Sequence, residues 1–258
     1  STPAIGGYTC AQIYYGVKSK LLVLYPMTTK SQGPDSLEDL CRDRGAPIKL
    51  KNDRAQMEIG KAWTSICRKY NIGQCTTEAH MPWQNEAERY IQEVKKMVNL
   101  IMDKTGSPNF LWVMCSMCVV YLLNHLAQPG LSWRTPIEAC YGYTPDISSL
   151  LMFSFFQKVY YLDAEIPFPN SKEKAGRFVG IAENVGDAMT FWIWTEDTEK
   201  LIARSVIRDA EDPKNINHRV EEMRKETVDT IVGMKDLIPG NTLPIIDPDH
   251  LVGYSFAT

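Results

Sequence analysis

A long helix is predicted to begin within Pro82-Trp83-Gln84-Asn85-Glu86-Ala87-Glu88-Arg89. Proline and asparagine are helix-start signals, and apolar residues then recur with helical spacing as far as Gly106 and Pro108, which end the pattern. Glu88 is therefore expected one turn inside the helix. A carboxylate at that position is held in a fixed direction by the helix backbone, which suits the binding of a metal ion.

A second carboxylate, Asp53, ends the apolar and basic run Pro47-Ile48-Lys49-Leu50-Lys51-Asn52-Asp53, which predicts a short strand. Thirty-four residues lie between Asp53 and Glu88. A strand end and a neighbouring helix could bring both acids to one pair of Mg²⁺ or Mn²⁺ ions, because such hard cations bind carboxylate oxygens. By themselves, the two acids could equally be solvated surface side chains.

The rest of the sequence predicts an α/β protein followed by a small all-β unit. Upstream of the long helix we expect a strand hairpin at residues 8–15 and 21–25, a helix at 35–44, a strand at 47–53, a helix at 60–70 and a strand at 72–77. Downstream we expect a second long helix at 110–127, a strand at 159–163, and three short strands at 178–182, 188–194 and 201–207.

These patterns divide the chain into four predicted parts. Residues 1–165 form the α/β core, 166–176 a proline-marked linker, 177–208 the β-rich unit and 209–258 a mostly flexible connector. Trp192 and Trp194 are two residues apart in one predicted strand, so both are expected on the same face. They would serve there either in core packing or as a platform for a partner or nucleic acid.

Composition indicates a folded protein with reduced thiols. The 258 residues are 44% hydrophobic, which is enough for a substantial core. Seven cysteines are odd in number and lie mostly in apolar patterns, which does not fit a disulfide framework. Cys115 and Cys118 have the spacing of a redox or zinc motif, but no second pair completes four ligands, so two core thiols are expected. We see neither a membrane span nor a secretory signal, and we expect an intracellular protein.

Charge is distributed unevenly along the chain. Residues 1–110 carry 15 Lys and Arg against 11 Asp and Glu, a net charge of +4, whereas residues 111–258 carry 13 against 20, a net charge of −7. Residues 1–110, which hold both predicted acids, can therefore bind phosphate. The acidic residues 111–258 cannot be the main phosphate-binding surface.

Several motifs carry a resemblance to one family. The Gln84-Asn85 pair followed by Ala87-Glu88-Arg89 resembles the helix-opening signature of retroviral and retrotransposon integrases. Further landmarks look like those that run, in the same order, through copia-type (Pseudoviridae-like) LTR retrotransposon polyproteins. They are residues 135–138 (Thr-Pro-Ile-Glu), 142–148 (Gly-Tyr-Thr-Pro-Asp-Ile-Ser), 177–181 (Arg-Phe-Val-Gly-Ile), 202–206 (Ile-Ala-Arg-Ser-Val) and 247–253 (Asp-Pro-Asp-His-Leu-Val-Gly), the last of which is similar to the stretch leading toward the reverse transcriptase.

The resemblance implies a ribonuclease H-like integrase core, a mixed five-stranded sheet flanked by helices, followed by the small all-β unit. It implies that Asp53 matches the second metal-binding acid of DDE polynucleotidyl transferases and that Glu88 matches the third, since the family has the same 34-residue interval. Glu86 is a rival for the third place. The 32 residues between Asp53 and Glu86, together with the Ala87-Glu88-Arg89 match, favour Glu88.

DNA contacts are expected beside these acids. Gln92 and Lys95 follow Glu88 at four and seven residues, on one helix face, with Lys96 alongside. An ordinary solvated face is the alternative. Next to Asp53, the basic side chains expected to steer a phosphate backbone are Lys49, Lys51 and Arg54.

Two features of the family are missing from the sequence. The first catalytic Asp of the family lies on the first core strand, shortly before a segment like residues 6–12, and Asp35, Asp39 and Asp43 belong to a later helix. The His/Cys zinc module expected upstream is also absent. We therefore expect an N-terminally truncated fragment, with its first strand incomplete, that does not catalyse the reaction by itself.

The function implied for the intact form is metal-dependent DNA 3′-end processing and strand transfer with two Mg²⁺ or Mn²⁺ ions. Its expected partners are the element ends, target DNA and further copies of itself, with function in the nucleus and assembly in a cytoplasmic particle. One alternative is a decayed or domesticated, non-catalytic DNA-binding or assembly protein that keeps the fold. Another is a different ribonuclease H-like nuclease.

Overall fold

The computed structural model describes residues 2–52, 60–76, 86–183, 185–186 and 189–221. The chain divides into two units, Ser1–Ile216 and Asn217–Thr258, and in the second unit the described residues are 217–221, of which 218–221 are helical. The strands and helices of the first unit are β1 (Cys10–Tyr15), β2 (Leu22–Met27), α1 (Gly33–Arg44), β3 (Lys49–Asn52), α2 (Lys61–Lys69), β4 (Gly73–Thr76), α3 (Glu86–Thr105), α4 (Trp112–His125), α5 (Pro136–Tyr141), β5 (Lys158–Leu162), β6 (Glu173–Ile181), β7 (Phe191–Thr195), β8 (Lys200–Arg204) and β9 (Ile207–Asp209). The predicted α/β class, with a separate sheet after the helices, is confirmed.

The predicted hairpin is present as the antiparallel pair β1 and β2. Gly16 N–H donates to the Leu21 carbonyl at 2.8 Å, and Tyr15 then faces Leu22 in the register. The outer edge of β2 is closed by a side chain from α4. Asn124 Oδ1 accepts from Leu22 N–H at 2.9 Å, and Asn124 Nδ2 donates to the Leu22 carbonyl at 2.7 Å.

A second pair of strands, β3 and β4, is parallel, with Lys49 facing Gly73. Parallel neighbours need a crossover connection, and α2 supplies it. Helices α1 and α2 share one apolar cluster with the strands, centred on Trp63, which is 1% exposed. The other buried members of this α1/α2 cluster are Tyr14, Leu37, Leu40, Cys41, Cys67 and Ile72.

The opposite side of the hairpin packs on α3 and α4. Ile13 and Tyr15 alternate with Tyr14 along β1 and contact the larger cluster that includes Val94 and Val98 of α3. Helix α4 is apolar on nearly every side, which fits its burial between α3, β2 and the downstream sheet. Of the described helices, none is long and apolar enough to cross a membrane.

The downstream sheet has five antiparallel strands in the order β8-β7-β6-β5-β9. Trp194 is 8% exposed and joins the α3/α4 cluster, where its ring lies 5.5 Å from that of Phe110. Trp192 packs on the same cluster, whereas Ile193 points into a separate one. The predicted shared face of the two tryptophans is therefore confirmed, and its role is core packing.

The sheet also uses residues from outside 177–208. Strand β5 lies at the end of the predicted core, and β6 begins at Glu173, inside the predicted linker. Both join through backbone pairing, since β5 lies antiparallel to β6 on one side and to β9 on the other. Arg208 of β9 also binds Glu173 of β6 through two hydrogen bonds of 2.7 Å. The proposed domain boundaries at 165, 176 and 208 remain predictions.

All seven cysteines are free thiols, as the sequence predicts. Cys115 is fully buried in the α3/α4 cluster and Cys118 packs against it from the same helix. Burial raises the pKa of the Cys115 thiol to about 12 and that of Cys118 to about 11. Two protonated core thiols are the result.

Candidate functional site

A cavity of about 660 Å³ opens between β1, the loop after α1, β3 and the first turn of α3. Its walls are mostly apolar and aromatic, and its charged side chains come from the end of α1 (Arg44), the end of β3 and the start of α3. The residues that matter below are Tyr15, Leu50, Lys51, Trp63, Glu86 and Glu88. A concave site of this size with a few charged groups is the usual form of a binding pocket.

Glu88 lies in the first turn of α3 and lines this cavity. Its side chain is exposed, and its Oε1 accepts a hydrogen bond from Gln92 Nε2 at 2.8 Å. A carboxylate is favoured at a helix N-terminus, where the backbone N–H groups carry partial positive charge. Glu88 is therefore oriented from one side by Gln92 and remains open to solvent.

Glu86, the rival acid, is held more firmly. Its Oε2 accepts from Lys20 Nζ and from the Tyr15 hydroxyl, each at 3.2 Å. The hydrogen bond from Lys20 holds the pKa of Glu86 below its ordinary value. Burial raises the pKa of Tyr15, whose ring stacks on Tyr90 with centroids 4.3 Å apart. Glu86 thus joins α3 to the β1–β2 hairpin.

Lys51 at the end of β3 lines the same cavity as Glu88. Alternate residues of a strand share a face, so Lys49 lies with Lys51, and both are exposed, whereas Leu50 packs against the α1/α2 cluster. Strand β3 is described as far as Asn52. The predicted ligand Asp53 and the predicted DNA contact Arg54 lie outside the described residues, and their roles remain predictions.

Farther along α3, Gln92, Lys95 and Lys96 are exposed, and Val94 and Val98 are buried on the other side. The predicted division of this helix into a polar face and a packed face is confirmed. Gln92 contacts Glu88, whereas Lys95 and Lys96 lie about one helical turn beyond Gln92. These three side chains form an exposed polar strip that continues from the cavity along α3.

The described residues do not form a metal site by themselves. No group of three or more His, Cys, Asp or Glu side chains suited to a metal lies within the described ranges. Glu88 is of the right chemical type for Mg²⁺ or Mn²⁺, which prefer carboxylate oxygens. One acid cannot hold such an ion by itself, so the described residues fit a metal only as one contributor to a larger set.

Some residues around the cavity carry no recognisable signal in the sequence. Tyr15 and Lys20 bind Glu86 across separations of 71 and 66 residues. Nothing local distinguishes Lys20 from other lysines in polar turns. The rigidity that these two side chains give to the first turn of α3 emerges only from the folded arrangement.

Comparison with known proteins finds similarity among solved structures. The chain is similar to a chain in the simian T-cell lymphotropic virus intasome in complex with PP2A regulatory subunit B56 gamma, with 16% identity, a TM-score of 0.46, and coverage of 79% of this chain and 73% of the other. It is also similar to the HTLV-2 integrase catalytic core domain in complex with magnesium. For the trimeric form the identity is 16% and the TM-score 0.44, and the match covers 51% of this chain and 84% of the other. For the dimeric form the identity is 15% and the TM-score 0.42, and the match covers 51% of this chain and 83% of the other. No protein-family model and no curated protein matches the chain.

Proposed function

We propose that this chain is the integrase region of a copia-type LTR retrotransposon polyprotein, with a ribonuclease H-like core, and that its intact form processes DNA 3′ ends and joins them to target DNA. The observation that supports this most is the shared cavity of Lys51 and Glu88. It means that the end of β3 and the first turn of α3 open onto one space, as a site built from Asp53 and Glu88 requires.

In this proposal Asp53 and Glu88 are the catalytic metal ligands. A bound pair of Mg²⁺ or Mn²⁺ ions would supply activation of the attacking oxygen and stabilisation of the leaving oxygen. Gln92 orients the Glu88 carboxylate through its 2.8 Å hydrogen bond. Contacts to the DNA backbone come from Lys49, Lys51, Arg54, Gln92, Lys95 and Lys96.

Two acids hold a metal pair poorly, so we propose that residues 1–258 alone are inactive and that a third acid is supplied by a strand outside this sequence. The intact form would act as a multimer on element ends and target DNA. Assembly would take place in a cytoplasmic particle and integration in the nucleus.

Metal-dependent strand transfer tests the catalytic assignment. In a version extended upstream to include the third acid, Mn²⁺-dependent joining of a labelled element end should be lost in Glu88→Gln, a loss on the order of a hundredfold or more for a metal ligand. Glu86→Gln is the matched control because it lies on the same turn, and it should retain transfer. Activity that survives Glu88→Gln but not Glu86→Gln would transfer the role to Glu86.

DNA binding tests the polar strip without requiring catalysis. Fluorescence anisotropy with a labelled duplex should show weaker binding for Lys95→Glu and Lys96→Glu, and each substitution should lower the salt-dependence slope by about one unit. Lys104→Glu, in the last turn of the same helix, is the control with an equal charge change. Equal loss in all three variants would mean that only net charge matters and would refute the assignment.

A further inference from the structure

Two exposed tyrosines lie side by side at the end of α5. Tyr141 is the last residue of this helix, and Tyr143 follows it after a single glycine. Their rings are nearly parallel, with centroids 6.1 Å apart and an angle of 25° between the ring planes. Tyr141 is 39% exposed and Tyr143 is 58% exposed. We refer to these two side chains as the tyrosine pair, and they form a short aromatic stack that is open to solvent.

The backbone that carries the tyrosine pair is fixed at both ends of α5. At the start of the helix, the Thr135 hydroxyl accepts a hydrogen bond from Glu138 N–H at 3.1 Å. At its end, Gly142 has a φ of 79°, and its N–H donates to the Glu138 carbonyl at 2.9 Å. A Cβ at Gly142 would meet no atom within 4 Å, so the space beside this glycine is open. The pair is therefore held in place and accessible to a ligand.

Arg44 connects the tyrosine pair with the cavity that Glu88 lines. Its Nη1 donates to the Tyr141 hydroxyl at 3.4 Å, although the two residues are 97 positions apart in the chain. Arg44 also lines the cavity, as does Cys140, the residue before Tyr141. The tyrosine pair is therefore at the rim of the same cavity as Glu88, and the guanidinium of Arg44 contacts both.

The charges around the tyrosine pair do not favour phosphate. Burial by itself would lower the pKa of Arg44, but the hydrogen bond with Tyr141 and the charge of Glu183 raise it above its ordinary value. A second acid, Asp146, lies in the loop after the pair and accepts hydrogen bonds from the N–H and the hydroxyl of Ser148, at 2.9 and 2.6 Å. These carboxylates offset the cation. A ligand is therefore recognised mainly through the aromatic faces.

We propose that the tyrosine pair is a stacking site for an unpaired nucleobase of the DNA in the cavity. This inference rests on the proposed function and deepens it, because it names the part of the DNA that the rim of the cavity binds. The base adds to the outer face of Tyr143, the more exposed of the two rings, and extends the stack. Any of the four bases can bind in this way, because each has a flat π-face. Arg44 meets the same strand from the cavity side as a planar cation.

A nucleobase fits this surface better than an apolar peptide does. Peptide sites of this kind use grooves lined by several aromatic side chains, whereas the tyrosine pair presents two parallel rings that are open to solvent. Its place at the rim of the cavity supports the same choice, since the cavity is where the proposed function places DNA.

The test uses the full chain and two DNA duplexes that carry 2-aminopurine, whose fluorescence is quenched when it stacks on an aromatic ring. One duplex ends in a short overhang with 2-aminopurine unpaired, and the other is blunt with 2-aminopurine paired. The parent chain should quench the unpaired base and bind the overhang duplex about tenfold more tightly than the blunt one. Because stacking releases no counterions, this preference should be the same at low and at high salt.

Tyr143→Ala should abolish the quenching and the preference, so that the two duplexes bind alike. Tyr143→Phe keeps the aromatic face and should retain both effects. The matched control is Phe168→Ala, which removes a different aromatic side chain that is 94% exposed. Phe168→Ala should leave the quenching and the preference as they are in the parent chain.

Two results would overturn the proposal. Quenching that survives Tyr143→Ala would show that the base binds elsewhere, and a simultaneous loss of dimers in analytical ultracentrifugation would identify the tyrosine pair as a contact between two copies. An equal loss of preference in Tyr143→Ala and Phe168→Ala would show that exposed aromatic side chains act without regard to position. Absence of strand transfer in the upstream-extended protein, with quenching that depends on Tyr143, would refute the proposed function and leave the base site standing.

Discussion

Replacement of Asn124 by alanine tests how the edge of β2 is closed. The Asn124 side chain binds both the N–H and the carbonyl of Leu22, a residue that is 1% exposed. Asn124→Ala removes both partners and leaves a buried donor and a buried acceptor. Asn124→Leu removes the same hydrogen bonds and keeps most of the side-chain volume, so the two variants separate hydrogen bonding from packing.

The expected loss follows from the two groups left without partners. Each buried backbone group that loses its hydrogen bond costs about 1–3 kcal/mol. In the alanine variant, water that enters the gap lowers this cost. We therefore expect the free energy of unfolding to fall by about 2–4 kcal/mol for the two groups together. Urea denaturation followed by circular dichroism measures this difference. Amide exchange at Leu22 should accelerate in parallel.

The control is Asn99→Ala, which changes the same residue type at an exposed position of α3. It should stay within about 0.5 kcal/mol of the parent chain. If Asn124→Ala also stays within that range, or if Asn124→Leu is as stable as the parent, the side-chain amide does not close the edge and the reasoning fails.

Two further predictions concern packing and charge. Gly176→Ala should destabilise by about 1–3 kcal/mol through overpacking, because an added Cβ would lie 2.5 Å from Ile193 Cγ2. Gly130→Ala, which meets no atom within 4 Å, should be nearly neutral in the same thermal melt, and equal effects would contradict the packing argument. Lys20→Met should raise the pKa of Glu86 in an NMR titration, since the Lys20 hydrogen bond lowers it. A carboxyl group whose pKa is lower in the folded chain than in the unfolded chain stabilises the fold at pH above the unfolded-state pKa, and this stabilisation is lost as pH falls through the folded-state pKa. Lys20→Met should therefore weaken the dependence of stability on acid pH. An unchanged Glu86 pKa would refute the pairing.

Local sequence patterns predicted most of the elements correctly. The hairpin, the two long helices and the strands of the downstream sheet follow from residue spacing and from turn residues such as Gly16 and Gly106, because these signals act within a few residues of where they stand. The paired face of Trp192 and Trp194 was predictable for the same reason, since alternation along a strand fixes the side that each residue faces.

Contacts between distant residues could not be predicted from these patterns. Asn124 and Leu22 are 102 residues apart, and Lys20 and Glu86 are 66 residues apart. Asparagine in an apolar helix and lysine in a turn are common in any sequence, so neither marks its partner. The recruitment of β5 into the downstream sheet was missed because strand order depends on which edges meet after the helices have packed.

The candidate site was predictable only in part. The sequence predicted Glu88 one turn inside a helix and Lys51 within the strand that ends at Asp53, and the fold opens both onto one cavity.

The closure of β2 by Asn124 has a consequence for synthesis on the ribosome. The hairpin emerges about 100 residues before the side chain that covers its edge, which at 5–20 residues per second is roughly 5–20 s. During that interval both edges of the hairpin are open to other nascent chains. Slower translation of the segment leading to α4 should therefore increase co-translational aggregation, and chaperones that hold extended strands should be needed most before residue 124 has left the exit tunnel.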